Sequence, residues 1–151
     1  NMLSYQNAAT DALLFCQTFC NLAEEEGLGC CFLGTTVYMP QMIIDTLQLP
    51  SLVMPVATIT LGWPAEQPPL TDRLPLDAIM HSETYADYTP QRIDQLYAEK
   101  EALPENQEFV RINHKQTLAQ VYTDCRYTRK DNEAMSEGLL EALRHQGFLE
   151  F

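Results

Sequence analysis

The first 72 residues of the chain contain no lysine or arginine. All nine basic residues lie between Arg73 and Arg144, and the chain carries a formal net charge of −12. This field repels polyanions, because the first half has no side chains from which a basic patch could form. The sequence therefore argues against nucleic acid and anionic membranes as partners. Any anion held by the first half must rely on backbone N–H groups.

The chain also lacks the marks of a membrane or secreted protein. No apolar run approaches the ~20 residues needed to span a bilayer, and no basic segment followed by an apolar core opens the sequence. The five cysteines, at positions 16, 20, 30, 31 and 125, are odd in number and lack the spacing of a disulfide framework. We therefore expect a cytoplasmic protein without a membrane partner.

Helix and strand patterns alternate in the first half. Apolar residues spaced by three and four predict a core helix over residues 8–26 that is buried on more than one side, with Gly27 as its stop. A short apolar run at residues 30–33 predicts a strand, and Pro at position 40 predicts a helix over residues 40–49. The β-branched residues 52–61 predict a central strand covered on both faces.

The second half alternates between loops and helices. Four prolines predict a loop over residues 62–75, and Thr-Pro opens a predicted helix over residues 89–101. Residues 104–116 are polar and predict irregular structure. A regular apolar stripe predicts a C-terminal helix over residues 131–146, which Gly147 ends.

Cysteine and histidine are the first candidates for chemistry. Thiolates one helical turn apart could bind a metal, but neighbouring cysteines point to opposite sides of an extended segment, so we interpret these residues as core thiols. The histidines lack the spacing of a catalytic triad or a zinc motif. We interpret them as surface or capping residues: His81, His114 and His145. We predict no metal site and no catalytic side chain.

Arg73 is the first cation of the chain and follows the proline-rich loop. Its position after a predicted strand and loop suits contact with an anion. The alternative is an ordinary exposed arginine, which is what most arginines are. Spacing alone leaves both interpretations open.

Several short segments together resemble the FMN-dependent nitroreductase family, in particular its oxygen-insensitive NADPH nitroreductase and flavin reductase P branch. The similarity covers nearly the whole chain but only about the last three fifths of a family member. The segments that carry it are Glu26-Gly27-Leu28-Gly29, Phe32-Leu33-Gly34, Leu49-Pro50, Thr60-Leu61-Gly62-Trp63-Pro64, Arg73-Leu74-Pro75 and the C-terminal helix to Gly147-Phe148.

This resemblance implies an α+β, nitroreductase-like fold with helices around a small mixed sheet, incomplete in this chain. It also implies a homodimer that binds FMN, takes a hydride from NAD(P)H onto flavin N5, and passes electrons to a nitroaromatic, quinone or flavin acceptor. In this scheme the flavin does the redox chemistry and no side-chain acid or nucleophile is needed. We expect residues 1–76 to be a flavin-facing core and residues 77–151 a C-terminal extension with helices that act as a dimer arm.

The resemblance also assigns site residues by position. Phe32, Leu33, Gly34 and Thr35 match the segment along the isoalloxazine ring, and Arg73 matches the arginine that meets the FMN phosphate. The family's N-terminal Arg-x-Ser-x-Arg clamp is absent, and Thr71 stands where a basic residue is usual. We therefore expect the chain alone to bind FMN weakly or not at all. The alternative is a non-catalytic remnant or interaction module that lacks the cofactor.

Overall fold

The computed structural model describes residues 1–149. Its elements, in chain order, are α1 (Met2–Glu25), β1 (Gly29–Leu33), α2 (Pro40–Leu47), β2 (Thr58–Gly62), a 3-10 turn (Leu76–Ala78), α3 (Pro90–Glu101), α4 (Pro104–Ile112), α5 (Leu118–Val121), a π-helical turn (Tyr122–Arg126) and α6 (Arg129–His145). Helices and strands are both present, so the predicted α+β class is confirmed. The strand pair in the described part of the chain is antiparallel.

The chain divides into two compact units. The first unit combines Asn1–Gln67 with the chain from Lys130 onward, and the second unit is Pro68–Arg129. The C-terminal helix α6 thus groups almost entirely with the first unit, although the sequence placed it in an extension. The functional roles assigned to residues 1–76 and 77–151 stay predictions.

Helix α1 begins six residues earlier than predicted, and it ends just before Gly27, as predicted. The Gly27 N–H donates to the Glu24 carbonyl at 3.0 Å and the Leu28 N–H donates to the Ala23 carbonyl at 2.9 Å. These two bonds form a Schellman motif, whose αL position is Gly27 at φ +80°.

Three more helices end with the same pair of hydrogen bonds. In α6 the αL residue is Gly147, again at φ +80°, as predicted. In α2 and α4 it is Gln48, at φ 52°, and His114, at φ 54°. Because a Cβ makes the αL conformation unfavourable, sequence patterns identified the two glycine ends but not the other two. Helix α2 consequently ends two residues before the predicted Leu49.

Most of the apolar surface of α1 is exposed, which contradicts the predicted burial on more than one side. Only Cys20 and Ala23 of this helix are buried. The exposed side chains include Leu3, Leu14, Phe15 and Leu22, with 58–74% of each accessible. The apolar pattern specified the helix correctly, but the first unit supplies packing partners for only one narrow side of it.

The strand pair is shorter than predicted. Cys30–Leu33 is extended as expected, but residues 52–57 are not part of a strand and β2 is mostly exposed. Leu52 has φ 63°, and its N–H donates to the carbonyl of Gln146 at 2.8 Å. The buried Gln146 amide in turn donates to the Val53 carbonyl at 2.8 Å. The prediction of a central strand over 52–61 was wrong because the end of α6 holds this backbone in a turn.

The second unit is helical. Thr89 caps α3 as the Thr-Pro signal predicted, accepting a hydrogen bond from the Arg92 N–H at 3.2 Å. The prediction of irregular structure over residues 104–116 was wrong, because Pro104 is the first residue of α4. The Glu101 carboxylate accepts from the Leu118 N–H at 2.6 Å, so the end of α3 also fixes the start of α5. Among the described residues, no helix is both long enough and apolar enough to cross a membrane.

Candidate functional site

The end of strand β1 presents the apolar part of the predicted site. Phe32 pairs with Ile59 and Leu33 with Thr58 in the antiparallel ladder. The ladder fixes their backbone, yet Phe32 is 41% exposed and Leu33 is 40% exposed. One exposed apolar side chain therefore projects from each face of the end of β1, and either could contact a flat apolar ligand.

Thr36 locks the turn that follows β1. Its side chain is buried, and Oγ1 lies 3.2 Å from the Leu33 carbonyl oxygen and 2.9 Å from Oγ1 of Thr58. The Thr36 hydroxyl donates its single proton to the carbonyl and accepts the proton of Thr58. It thereby ties the end of β1 to the start of β2 and positions Gly34 and Thr35 between them. Sequence reasoning missed this residue.

The backbone of Gly34 and Thr35 has unused donors. Within residues 1–149, neither N–H donates a hydrogen bond to another main-chain group outside the strand ladder. A Cβ built on Gly34 would meet no atom within 4 Å, so the space beside this backbone is open. Gly34 does not have a positive φ, so its conformation does not require glycine. The open space leaves room for a ligand to approach this backbone closely, as it also does beside Gly62 and Gly138.

Arg73 lies in the second unit with its guanidinium on backbone oxygens. Nη1 donates to the Asp72 carbonyl at 3.0 Å and to the Thr71 carbonyl at 3.3 Å, and it also contacts the Thr71 hydroxyl. In the described part of the chain no carboxylate pairs with it. The side chain is therefore oriented while its positive charge stays available to an anion.

Arg73 and Lys100 line one open cavity of about 530 Å³. Its wall is apolar, formed by Leu74, Leu76 and Ile79. The Lys100 ammonium pairs with the carboxylate of Asp72, and this ion pair lowers the pKa of Asp72. The Asp72–Lys100 contact joins residues 28 apart in sequence, which is why no local pattern revealed it.

The other basic residues near the C-terminal end of α4 have partners of their own. Arg111 makes two hydrogen bonds to Glu108, at 2.6 and 2.7 Å, and this pair lowers the pKa of the Glu108 carboxyl. Lys115 pairs with Asp124 at 3.0 Å, and this pair lowers the pKa of Asp124. These ion pairs hold the side chains of Arg111 and Lys115 in place, and they give no evidence for a ligand at either residue.

The cysteines do not form a cluster with ligand geometry. Among residues 1–149, no group of three or more His, Cys, Asp or Glu side chains lies close enough together to hold a metal. The Cys30 thiol donates to the carbonyl of Cys20 at 3.9 Å, and burial raises the pKa of the Cys20 thiol. His81 is bound within its own loop, with Nε2 3.2 Å from the Tyr88 hydroxyl and Nδ1 accepting from the Ala86 N–H at 3.3 Å.

Comparison with known proteins identifies the family that the first part of the chain resembles. Residues 3–63, which contain α1 to β2, match the model of the nitroreductase family. This match confirms the resemblance drawn from the sequence: the first 63 residues of the chain carry a segment of the nitroreductase family. The segment includes Phe32 to Thr35.

Two curated proteins illustrate the similarity. A Cr(VI) reductase of Pseudomonas sp. strain G-1 is 36% identical over 75 residues, which is 50% of this chain and 31% of that protein. An FMN reductase [NAD(P)H] of Bacillus subtilis strain 168 is 38% identical over 77 residues, or 51% of this chain and 31% of that protein. The matched part thus spans about a third of the length of these relatives.

A solved structure extends the similarity to the second half. A protein of Bacteroides fragilis NCTC 9343, regarded as an oxidoreductase, is 61% identical and superposes with a TM-score of 0.94. The superposition covers 99% of this chain and 61% of that one. The superposition therefore includes both units, and this chain spans about three fifths of the length of that protein.

Proposed function

We propose that this chain carries the flavin-contacting segment of an FMN-dependent NAD(P)H oxidoreductase of the nitroreductase type. The observation that carries the proposal is the end of β1, where two exposed apolar side chains adjoin two backbone donors. This segment lies inside the nitroreductase-family match, and one relative is an FMN reductase [NAD(P)H].

The chemistry of these residues fits FMN. Phe32 and Leu33 project from opposite faces of β1, so one of them would contact the apolar ring face, and the N–H groups of Gly34 and Thr35 would donate to polar atoms at the ring edge. The lack of a side chain at Gly34 leaves room for the ring to approach. Arg73, which belongs to the second unit, is the residue that the resemblance matches to the phosphate-binding arginine.

When bound, FMN supplies hydride chemistry, accepting an electron pair from NAD(P)H and passing it to a small-molecule acceptor. The acceptors implied by the resemblance are nitroaromatics, quinones and free flavins. The role of the chain is then to bind and orient the flavin, for which strand-end donors and apolar contacts suffice. No acid, base or nucleophile from this chain is required.

Flavin titration tests the proposal. We expect FMN, followed by absorbance near 450 nm and by quenching of flavin fluorescence, to bind weakly because only one matched arginine meets its phosphate. The substitution Gly34→Val should abolish this binding by filling the open space. Gly62→Val is the matched control, since a Cβ there also meets no atom within 4 Å and Gly62 lies at the other end of the strand pair.

If FMN produces no change at millimolar concentration, or if Gly34→Val and Gly62→Val have equal effects, the proposed flavin contact is wrong. A protein that takes up no flavin would favour the second candidate, a non-catalytic interaction module. The exposed apolar surface of α1 is the observation that favours that candidate.

We further propose that this surface forms a homodimer contact. Leu3, Leu14, Phe15 and Leu22 lie on one side of α1, because at 100° per residue they fall within an arc of about 120°. Their exposure is larger than a stable monomer ordinarily leaves in one apolar stripe. Sedimentation equilibrium tests this: Phe15→Asp should shift the molecular mass from dimer to monomer, whereas Gln17→Asp, on a polar position of the same helix, should leave it unchanged.

A further inference from the structure

We propose that Cys20 and Cys30 form a redox-active dithiol in the first unit, which a peroxide converts into a disulfide between α1 and β1. The inference goes beyond the proposed function and does not depend on flavin binding. In a reducing compartment both residues are thiols, as they are in this structure, so the disulfide forms only when an oxidant is present.

The packing of α1 against β1 brings the two thiols together. Cys20 and Ala23 are the buried residues of α1, and Cys20 is only 4% exposed. Cys30 lies in β1, and its thiol donates to the carbonyl oxygen of Cys20 at 3.9 Å. The two thiol groups also interact with each other, because burial, and after it a hydrogen bond with the Cys30 thiol, raises the pKa of Cys20. Small side-chain rotations therefore bring the sulfur atoms to their bonding distance of about 2.05 Å.

The difference in exposure between the two thiols sets the order of reaction. Cys30 is partly exposed, so a small peroxide reaches its sulfur atom. The Cys20 thiol is buried and its raised pKa keeps it protonated, so it reacts poorly with a peroxide from solution. Cys30 is therefore oxidised first, and the adjacent Cys20 then reacts with the oxidised Cys30.

The neighbouring thiols are less well placed for this reaction. Cys31 is exposed, but successive side chains alternate along a strand, so Cys31 projects from the face of β1 opposite to that of Cys30. Cys16 lies one helical turn before Cys20 on α1 and is partly exposed. The Cys30 thiol makes its hydrogen bond to the Cys20 carbonyl, which places it beside Cys20.

The reaction balances with one molecule of hydrogen peroxide. The Cys30 thiolate attacks a peroxide oxygen, the O–O bond breaks, and the other oxygen leaves as water, which gives a sulfenic acid at Cys30. The Cys20 sulfur then attacks the Cys30 sulfur, and the S–O bond breaks as the S–S bond forms. The Cys20 proton leaves with the hydroxyl group as a second water. Two thiols thus lose two electrons and two protons, and the peroxide is reduced to water.

Peptide mapping of the intact chain after treatment with hydrogen peroxide tests the proposal. No Lys or Arg precedes position 73, so trypsin leaves the first four cysteines in one peptide. A glutamate-specific protease instead cleaves at residues 24–26, between Cys20 and Cys30. After alkylation of the remaining free thiols, we expect a crosslinked pair of peptides that separates on reduction, with fragmentation placing the bond between Cys20 and Cys30.

Four results of this mapping would overturn the proposal. They are a chain whose thiols all stay free for alkylation, a bond between Cys30 and Cys31 within one peptide, a bond from Cys16, and a covalent dimer on a denaturing gel without reductant. The last result would show that the bond joins two chains rather than α1 and β1 of one chain.

Single substitutions supply matched controls. Cys20→Ala and Cys30→Ser should each abolish the crosslinked pair in variants that circular dichroism shows to be folded. Cys16→Ser removes the thiol one helical turn away, and Cys31→Ser removes the thiol next to Cys30, so both should leave the yield of the crosslink unchanged. Loss of the crosslink in either control variant, or its retention in Cys30→Ser, would overturn the assignment to Cys20 and Cys30.

Discussion

The hydroxyl of Thr36 should be the most costly single polar group to remove from the first unit. Thr36→Val keeps the shape of the side chain but deletes the bonds to Leu33 and Thr58. A net hydrogen bond contributes about 1 kcal/mol, and a carbonyl left without a partner adds to the cost. Thr58 is exposed and can bond to water instead, so we expect a loss of about 1.5–2.5 kcal/mol in the free energy of unfolding.

The assay follows the only tryptophan of the chain. Trp63 comes directly after β2, and its fluorescence during urea unfolding reports on the strand pair. Thr60→Val is the control, because the Thr60 hydroxyl makes a single exposed contact with the Cys31 carbonyl at 3.5 Å. Thr36→Ser keeps the hydroxyl and should retain most of the stability. Equal midpoints for the Thr36→Val and Thr60→Val variants would refute the role assigned to Thr36.

Three further predictions concern other parts of the chain. Four residues end helices in the αL conformation, which glycine adopts without strain. Gln48→Gly and His114→Gly should each stabilise the folded chain by about 0.5–1 kcal/mol, whereas Gly27→Ala and Gly147→Ala should each destabilise it by about 1 kcal/mol. Thermal unfolding measures these changes. Acid should weaken the second unit: Asp72 and Asp124 have folded pKa values below the ordinary 3.8, so their contribution is present above that value and is lost as pH falls through the folded pKa. Asp72→Asn should flatten the pH dependence of unfolding below about pH 4, followed by circular dichroism. Phe15→Asp should raise binding of the dye ANS, because loss of the dimer uncovers Leu3, Leu14 and Leu22, and an unchanged signal would contradict the proposed dimer contact.

Sequence patterns predicted those elements whose limits are encoded locally. Gly27 and Gly147 ended their helices as expected, and Thr89 with Pro90 opened α3. The failures came where distant residues decide the conformation. Gln146 holds Leu52 and Val53 in a turn from 93 residues away, and no pattern within residues 52–61 records that contact.

The candidate site divides in the same way. A glycine after an apolar strand pointed to Gly34, and the first cation of the chain pointed to Arg73. The residues that support them were invisible, because Thr36 acts through the partner strand and Lys100 meets Asp72 across 28 positions. The roles of Phe32, Leu33, Gly34, Thr35 and Arg73 toward FMN stay predictions for the titrations described above.

The uneven charge of the chain has a consequence for the rate of ligand capture. A formal charge of −12 repels a dianion at long range, whereas Arg73 attracts it only at short range. Added salt screens the distant repulsion more than the contact within the cavity. Moderate ionic strength should therefore speed the association of a phosphate ester while it also speeds dissociation. At higher ionic strength the anion would therefore have both a higher association rate and a shorter residence time on the chain.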